Sequence, residues 1–508
     1  MACFLVLYIK HIVEMNRIVL FIYFNLMTNV LMTAQINIMS LSLEQTVDIA
    51  KRQAPDAQTA RHSFRSAYWN FRYYKANYLP MLSLTSNPYL DRAINKITMP
   101  DGTAQFVEQN QLNTDMSFNL SQNIPWTGGS VFIETSVQRI DMINNHNFSW
   151  QTSPFMIGYR QSLFGYNHLK WDRRIEPLRY LESKKTYVEA LELVAVRATA
   201  KFFDLAIAQN NYDMACFNYA NADTLYRYAR GRYNLGTITE NEMLQLELKR
   251  LAEETNRMNA GMEVDNFMQE LRSYLGFKED IQLHVSICPH IPSFTIDLDK
   301  AIILANENSP DIQTMKLRKL ESESAVAQAR ANAGLKADIY LRFGLTQTAD
   351  RFYEAYDKPL QQQYVSVGIS FPILDWGRGK GKIRVARSNQ DLVYTQVEQG
   401  ETDFNLNIRK LVKQFNLQTQ RVHLAARTDE TAQRRHEVAR KLYLLGKSTV
   451  LDLNTSISEK DAARRNYIST LNNYWSLYYT LRSITLFDFE RNVLLAEEYE
   501  PFINSCKK

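Results

Sequence analysis

The chain repeats itself, and that limits what it can fold into. Leu43-Glu-Gln-Thr-Val-Asp-Ile-Ala50, followed by Ala54-Pro55-Asp56, returns as Leu298-Asp-Lys-Ala-Ile-Ile-Leu-Ala305, followed by Ser309-Pro310-Asp311. The offset is 255 residues (298 minus 43). Further on, Arg232-Tyr-Asn-Leu-Gly236-Thr-Ile-Thr239 returns as Leu442-Tyr-Leu-Leu-Gly446-Lys-Ser-Thr449, now at an offset of 210. The same 210 aligns Gln161-Ser-Leu-Phe164 with Phe371-Pro-Ile-Leu374. Three matches in one order describe a duplication. The first copy, 36–290, carries 45 more residues (255 minus 210) than the second, 291–508, inserted between about 60 and 160.

Each copy reads as helix, strands, then very long helices. Ser42 with Gln45 makes a capping box, and Asp297 is the matching cap. Pro55 and Pro310 suit a first helical turn, so each opening helix breaks there and restarts, running to Tyr78 and to about Asn332. With only 17 Gly and 13 Pro in 508 residues, breakers are scarce and long helices can run unbroken. One hairpin of helices spans 167–276, interrupted near Pro177 and turning at Gly236; the other spans 379–487 and turns at Gly446. Their first arms reach about 100 Å at ~1.5 Å per residue. Helices of that length need lateral partners along their whole course. Ala195, Ala198, Ala200, Ala206 and Ala208 permit close approach.

The strands alternate with period two. Ile339, Leu341, Phe343 and Leu345 interleave with Tyr340, Arg342, Gly344 and Thr346; Val365, Val367, Ile369 and Phe371 interleave with small or polar residues. The strand regions are 80–165 and 337–373. In the first copy Leu82 and Leu84, Phe155 to Tyr159 beside Arg160, and the pair 116–120 and 131–137 obey the same rule. The last two, joined by Pro125-Trp-Thr-Gly-Gly129, form a hairpin that accounts for the 45 extra residues. Segments of about nine residues suit a tilted membrane strand as well as a soluble sandwich. In a barrel the apolar face meets lipid, and Arg160 and Arg342 line the lumen.

Residues 1–35 favour the barrel. Arg17, an apolar run from Ile18 to Met32 and Thr33-Ala34-Gln35 describe a signal peptide cleaved near Ala34 or Gln35, with Met1 or Met15 as the start. The remaining cysteines, Cys216, Cys288 and Cys506, form no disulfide framework; Cys288 and Cys506 are the one pair open to bridging. Net charge is +5, from 59 basic and 54 acidic residues, which gives no basis for nucleic-acid binding. The sequence holds no metal motif, nucleophile–base pair or phosphate loop; Gly377-Arg-Gly379-Lys-Gly381 lacks the required spacing and reads as a strand-to-helix joint. No enzymatic activity, cofactor or metal is expected.

These features together resemble the TolC-like outer membrane efflux family. The residues that carry the likeness are Ala54-Pro55-Asp56 and Asn308-Ser-Pro310-Asp311, Tyr78-Leu-Pro80, Gln161-Ser-Leu-Phe164, Phe371-Pro-Ile-Leu-Asp375-Trp-Gly377, and the turns Tyr233-x-x-Gly236-x-x-Thr239 and Tyr443-x-x-Gly446-x-x-Thr449. The resemblance implies a mainly α protein with a membrane β-barrel: long helical hairpins forming a trimeric α-barrel tunnel continuous with the transmembrane barrel. It implies a homotrimer in outer membrane lipid of a Gram-negative envelope, joined through a periplasmic adaptor to an inner-membrane transporter. Its role would be the exit duct of a tripartite efflux pump, or of type I protein secretion. Segments 277–296 and 487–508 would form a mixed belt about the tunnel. A periplasmic gate would use Asp452, Tyr443 and Lys447. Helix tips for the adaptor would use Tyr233, Gly236, Thr239, Glu242, Gly446 and Thr449.

Three departures stand out. The family's barrels take four strands per protomer, and this chain offers up to six. The acid expected one turn after Asp452 is Thr455, and the arginine of some gates is replaced by Ser448 or Lys447. The 114–138 hairpin is expected to join the barrel wall rather than hang as a loop. A secreted coiled-coil scaffold explains the long helices but not the duplicated alternating strands.

Overall fold

A computed structural model describes residues 38–505 except 145, 279–280, 289–290, 293 and 446. The expected signal peptide, the Gly446 turn residue and Cys506, and with it the Cys288–Cys506 pairing, lie outside the described residues. Contacts divide the chain into two units. One holds residues up to 58 with 193–293 and 417–479; the other holds 59–192, 294–416 and 480 onward.

The second unit contains the sheet. β2 (Met81–Thr85), β3 (Tyr89–Thr98), β4 (Ala104–Asn123), β5 (Ser130–Met142), β6 (Asn147–Leu163), β8 (Lys336–Ala349) and β9 (Leu360–Ser370) are its seven strands. All neighbours are antiparallel, in the order β2-β4-β5-β6-β8-β9. β3 also pairs with β4, beyond β2 on the same side: Met81–Thr85 face Ser117–Ser121, and Tyr89–Thr98 face Ala104–Asn113. The sheet is therefore six strand positions wide, and β4 and β5 are part of its wall. β3 and the first half of β4 refine the sequence reading, which places them within a strand region but names no strand segment there. They mix charged and apolar residues on both faces, as in Asp91-Arg92-Ala93-Ile94-Asn95-Lys96, so no clean alternation betrays them.

Register fixes the two faces. Leu82, Leu120, Ile133, Ile157, Phe343 and Val365 lie on one face, and each of these side chains is exposed. Ser83, Asn119, Ser130, Arg160, Tyr340 and Ser366 share the other. Exposed leucine, isoleucine and phenylalanine in a continuous band mark a surface meant for an apolar medium.

Each repeat opens on a pair of helices. α1 (Leu43–Gln53) and α2 (Pro55–Ala76) meet at the expected proline, as do α5 (Leu298–Asn308) and α6 (Pro310–Ala333). The Ser42 hydroxyl accepts from Gln45 N–H and the Gln45 amide oxygen from Ser42 N–H. In the second unit α2 lies antiparallel to the first part of α3 (His168–Asn234). Phe64 stacks on Tyr187 at 5.3 Å and Phe71 on Tyr180 at 4.4 Å. Both partners are spaced by seven residues, so two heptads align ring on ring. The Tyr78 hydroxyl closes the ladder on the Leu169 carbonyl at 2.9 Å.

α3 does not break at Pro177, contrary to the sequence reading: it is one helix of 67 residues. Proline removes one backbone donor and crowds the preceding turn. Here Ile175 and Leu178 flank it and pack with Leu317 and Leu320 of α6, which holds the helix through the defect. α4 (Glu240–Leu275), α7 (Arg378–Leu444) and α8 (Val450–Thr485) complete the long elements.

The connecting segments are also ordered. In the first unit β1 (Ile38–Leu41) pairs in parallel with β7 (Gln282–Val285), and the Gln209 side chain of α3 accepts from Val285 N–H at 3.2 Å. In the second unit β10 (Phe487–Asp488) pairs with β11 (Val493–Leu494), followed by α9 (Leu495–Glu498) and α10 (Glu500–Ser505). A buried ionic cluster ties this end down. Arg482 of α8 meets Glu192 of α3 at 3.1 Å and Asp488 of β10 at 2.7 Å, and the Tyr499 hydroxyl donates to Glu192 at 2.6 Å. Both carboxylates are at most 1% exposed.

Removing the guanidinium alone would leave two buried carboxylates facing each other, at a cost of about 3–5 kcal/mol. Arg482→Met is expected to lower the thermal midpoint in detergent and open the segment after 487 to protease. An unchanged midpoint and an unchanged digestion pattern would show that the cluster does not secure this end.

Candidate functional site

The turns between the long helices lie in the first unit and are built alike. At the first, Gly236 has φ +71°, its N–H donates to the Tyr233 carbonyl at 2.8 Å, and Thr237 N–H donates to the Arg232 carbonyl at 2.9 Å. This left-handed residue closes the end of α3 as glycine does in a Schellman-type cap. At the second, Lys447 N–H donates to the Leu442 carbonyl, also at 2.9 Å. The 210-residue offset thus extends to single hydrogen bonds.

The helices that leave the turns begin with matched capping boxes. The Thr239 hydroxyl accepts from Glu242 N–H, and the Glu242 carboxylate accepts from Thr239 N–H. In the second copy Thr449 and Asp452 exchange the same bonds: Asp452 N–H donates to the Thr449 hydroxyl oxygen at 3.1 Å, and Thr449 N–H to the Asp452 carboxylate at 3.3 Å. The Thr449 and Ser448 hydroxyls also donate to that carboxylate, at 2.7 and 3.3 Å. These bonds, led by those from Thr449, hold the Asp452 carboxyl below its ordinary range, so it is ionised at neutral pH. Asp452 and Thr449 are exposed, as is Lys447. Tyr443 lies in the last turn of α7. Tyr233 and Leu235 are exposed beside Gly236, and Leu445 and Leu451 flank the second turn in the open.

Between α3, α4 and the start of α8 lies a groove of about 1330 Å³. Arg232, Thr237, Glu242, Lys249, Thr449 and Asp461 are among its lining residues. Its lining mixes ionic and amide groups with alanines, and its helices are joined by polar side chains. The Asn218 amide donates to Asp461 at 2.9 Å. Arg464 pairs with Asp429 at 3.0 Å. Lys460 lies 4.7 Å from the Phe217 ring centroid. His436 is buried beside that same ring, with Nδ1 3.3 Å from the Ser456 hydroxyl. The sequence reading passes over this layer, because its residues come from three helices with no shared spacing. The lumen candidates Arg160 and Arg342 belong to the second unit, on the polar face of the sheet.

Among the described residues no cluster has the makings of a metal site, and no helix is long and apolar enough to cross a membrane.

Residues 301–485 match the outer membrane efflux protein family. This part of the chain is an outer membrane efflux protein domain. Solved structures extend the likeness over the efflux domain and the repeat before it. The CmeC outer membrane channel of Campylobacter jejuni superposes with a TM-score of 0.67 at 16% identity, covering 92% of this chain and 89% of that one. The outer membrane protein VceC of Vibrio cholerae gives 0.61 at 13% identity, covering 87% and 95%. The open-state MtrE outer membrane channel of Neisseria gonorrhoeae gives 0.56 at 13%, covering 87% and 88%. No curated protein matches in sequence. The fold is that of the outer membrane channels, a mainly α protein with a β-sheet domain.

Burial keeps the His436 imidazole neutral, and Lys460 and Arg440 push its pKa the same way, against Asp461 and Glu437. Its pKa in the fold is therefore below the ordinary 6.5, and the unfolded chain takes up the proton first. The contribution of the neutral ring is complete above about pH 6.5 and is lost as pH falls through the lower, folded value. The thermal midpoint should fall between pH 7 and 5, and less steeply in His436→Gln. Parallel curves for the two proteins would rule the imidazole out as the titrating group.

Proposed function

We propose that this chain is the outer membrane exit duct of a tripartite efflux pump, acting as a homotrimer in the Gram-negative envelope. The observation that carries the reading is the two-faced, six-strand-wide sheet in one chain with two long helical hairpins and an efflux domain. The apolar face of the sheet meets outer membrane lipid, and the polar face lines a water-filled lumen. The hairpins form the periplasmic tunnel. The duct carries out no chemistry; the inner-membrane transporter supplies the energy, and a periplasmic adaptor joins the two. A type I secretion duct would share this fold, and the efflux family match favours the pump.

The turns at Gly236 and Gly446 close the periplasmic end, with Asp452, Tyr443 and Lys447 as the gate. Tyr233, Gly236, Thr239, Glu242 and Thr449, with the exposed leucines beside them, present the adaptor-docking edge. Asp452 has two roles in this reading. Its carboxylate caps α8, and in a trimer three such charges approach one axis. Two charges about 6 Å apart at an effective dielectric near 20 repel by roughly 3 kcal/mol. The closed tip is therefore held by contacts that outweigh this repulsion, and the polar layer around Arg464 and Asp429 supplies some of them.

Planar-bilayer recording tests the duct and its gate together. The purified protein should form cation-selective pores that multivalent cations block. Asp452→Asn keeps an oxygen for the cap while removing the charge, so it should weaken that block and reduce selectivity. Unchanged block and reversal potential would place Asp452 outside the constriction. A protein that forms no pore and is missing from the outer membrane fraction would overturn the duct itself.

A further inference from the structure

We propose that the polar face of the sheet holds a binding site for planar aromatic anions, built from Arg160, Arg342, Tyr340, Phe132 and Tyr364. The proposal rests on reading that face as the lumen of an exit duct.

The strands place these residues in two adjacent rows. Phe132, Gly158, Arg342 and Tyr364 are successive cross-strand partners over β5, β6, β8 and β9. Ser130, Arg160, Tyr340 and Ser366 form the next row. Gly158 makes the arrangement possible. A Cβ there would fall within the Phe132 ring, so the ring lies across the glycine. It reaches diagonally to stack on Tyr340, centroids 6.0 Å apart and planes 24° apart. Tyr364 meets Tyr340 edge-on at 5.8 Å. Much of the rest of this face is small and hydrophilic, with Ser83, Ser117, Ser130, Ser162, Ser366 and Ser370. A shelf of three rings is out of keeping with a plain water-filled wall.

Among the described residues the cations at the shelf have no counter-ions. The Arg160 guanidinium stands 5.6 Å from the Tyr340 ring centroid. Neither Arg160 nor Arg342 has an ion pair or a side-chain hydrogen bond among the described residues, and Arg342 Nε is buried without a partner. Four acids share the face, Asp91, Asp115, Glu134 and Asp338, and the two nearest the shelf are each one row away: Glu134 is the partner of Met156, and Asp338 of Ser162. Neither pairs with either arginine. The unmet need is therefore for an acceptor lying between the two guanidiniums, beside an aromatic surface. A carboxylate or sulfonate on a flat ring system supplies both: its oxygens take the guanidinium N–H groups, and its ring covers Tyr340. The acidic rows on either side keep residence short, as a conduction path requires of any site within it.

The test uses the full-length protein in detergent and naphthalene-2-sulfonate as the probe. Titration calorimetry should show binding. Cyclohexanesulfonate, with the same charge and no π-face, should bind at least several-fold more weakly. Arg160→Gln and Arg342→Gln should each weaken binding about tenfold, the loss of one charge-assisted contact. Tyr340→Leu should remove the preference for the aromatic probe, and Tyr340→Phe should retain it. Equal binding of the two sulfonates, or arginine variants that bind as the parent does, would overturn the site. Pore formation in bilayers is read separately. Pores without naphthalenesulfonate binding reject this site and leave the duct standing; binding without pores rejects the duct.

Discussion

A sheet edge cannot lie bare in lipid, and this requirement governs how copies of the chain would assemble in the proposed duct. In the described chain β9 bonds only to β8, and β2 and β3 bond only to β4. Each outer edge is left with a row of backbone N–H and C=O groups. In hydrocarbon, every such group without a partner costs several kcal/mol, which is why spanning sheets close. The exposed leucines, isoleucines and phenylalanines on one face exclude water as the alternative solvent. In the proposed homotrimer, pairing β9 of one copy with β2 and β3 of the next would remove both edges at once. Three copies of six strand positions make eighteen strands. Barrel diameter grows with strand number, so the mouth of the proposed trimer would be wider than one built from four strands per copy. The 45 extra residues of the first repeat give it five sheet strands against two in the second, and in the proposed duct they would widen the pore.

The helices answer the same demand by different means. A helix of 67 residues in a protein draws most of its stability from packing along its length. In the second unit α2 and α3 pair through aromatic rungs, and α6 is tied to α3 by Arg179–Glu321 at 2.6 Å and to α7 by Lys319–Glu401 at 3.3 Å. In the first unit Ala195, Ala198, Ala206 and Ala208 are buried, as are Phe202 and Phe203, and small alanines let helices approach closely. Nearer the turns the contacts change character, from alanine and phenylalanine to Asn218, Asp429, His436, Asp461 and Arg464. Close-packed apolar faces resist sliding, because any shift opens voids. Polar faces exchange one hydrogen-bonded arrangement for another at smaller cost. A gate of the kind proposed needs its compliance at the turns, and that is where this chain has its polar layer.

How much of this is legible in the residues depends on whether the signal is periodic. The duplication, the proline breaks at 55 and 310, the turn at Gly236 and the alternation of 339–345 all obey local rules, and a single strand or turn suffices to reveal them. β3 stays hidden because its residues mix polar and apolar on both faces. The parallel pairing of β1 with β7 stays hidden because parallel partners lie far apart in sequence, here Ile38 with Gln282. Pro177 misleads because the rule that breaks helices at proline ignores the packing of Ile175 and Leu178 on α6. Arg482 looks like any other basic residue, since its carboxylate partners sit 290 residues before it and six after it.

Asp452 shows how one residue meets two requirements at once. A carboxylate three residues after Thr449 is what the first turn of α8 demands, and Glu242 after Thr239 shows the same demand met in the other repeat. Local capping alone therefore explains why an acid stands there. It does not explain why the first copy uses glutamate and the second aspartate, since either side chain reaches back to the cap. The shorter side chain of Asp452 is bound by three donors from Ser448 and Thr449, which fixes the carboxylate against its own turn. A charge fixed in that way costs no further ordering when copies bring it toward a common axis, whereas a free glutamate would swing away from its like-charged neighbours. The capping bonds that keep Asp452 ionised are thus the same bonds that would make it an effective fixed charge at the proposed constriction.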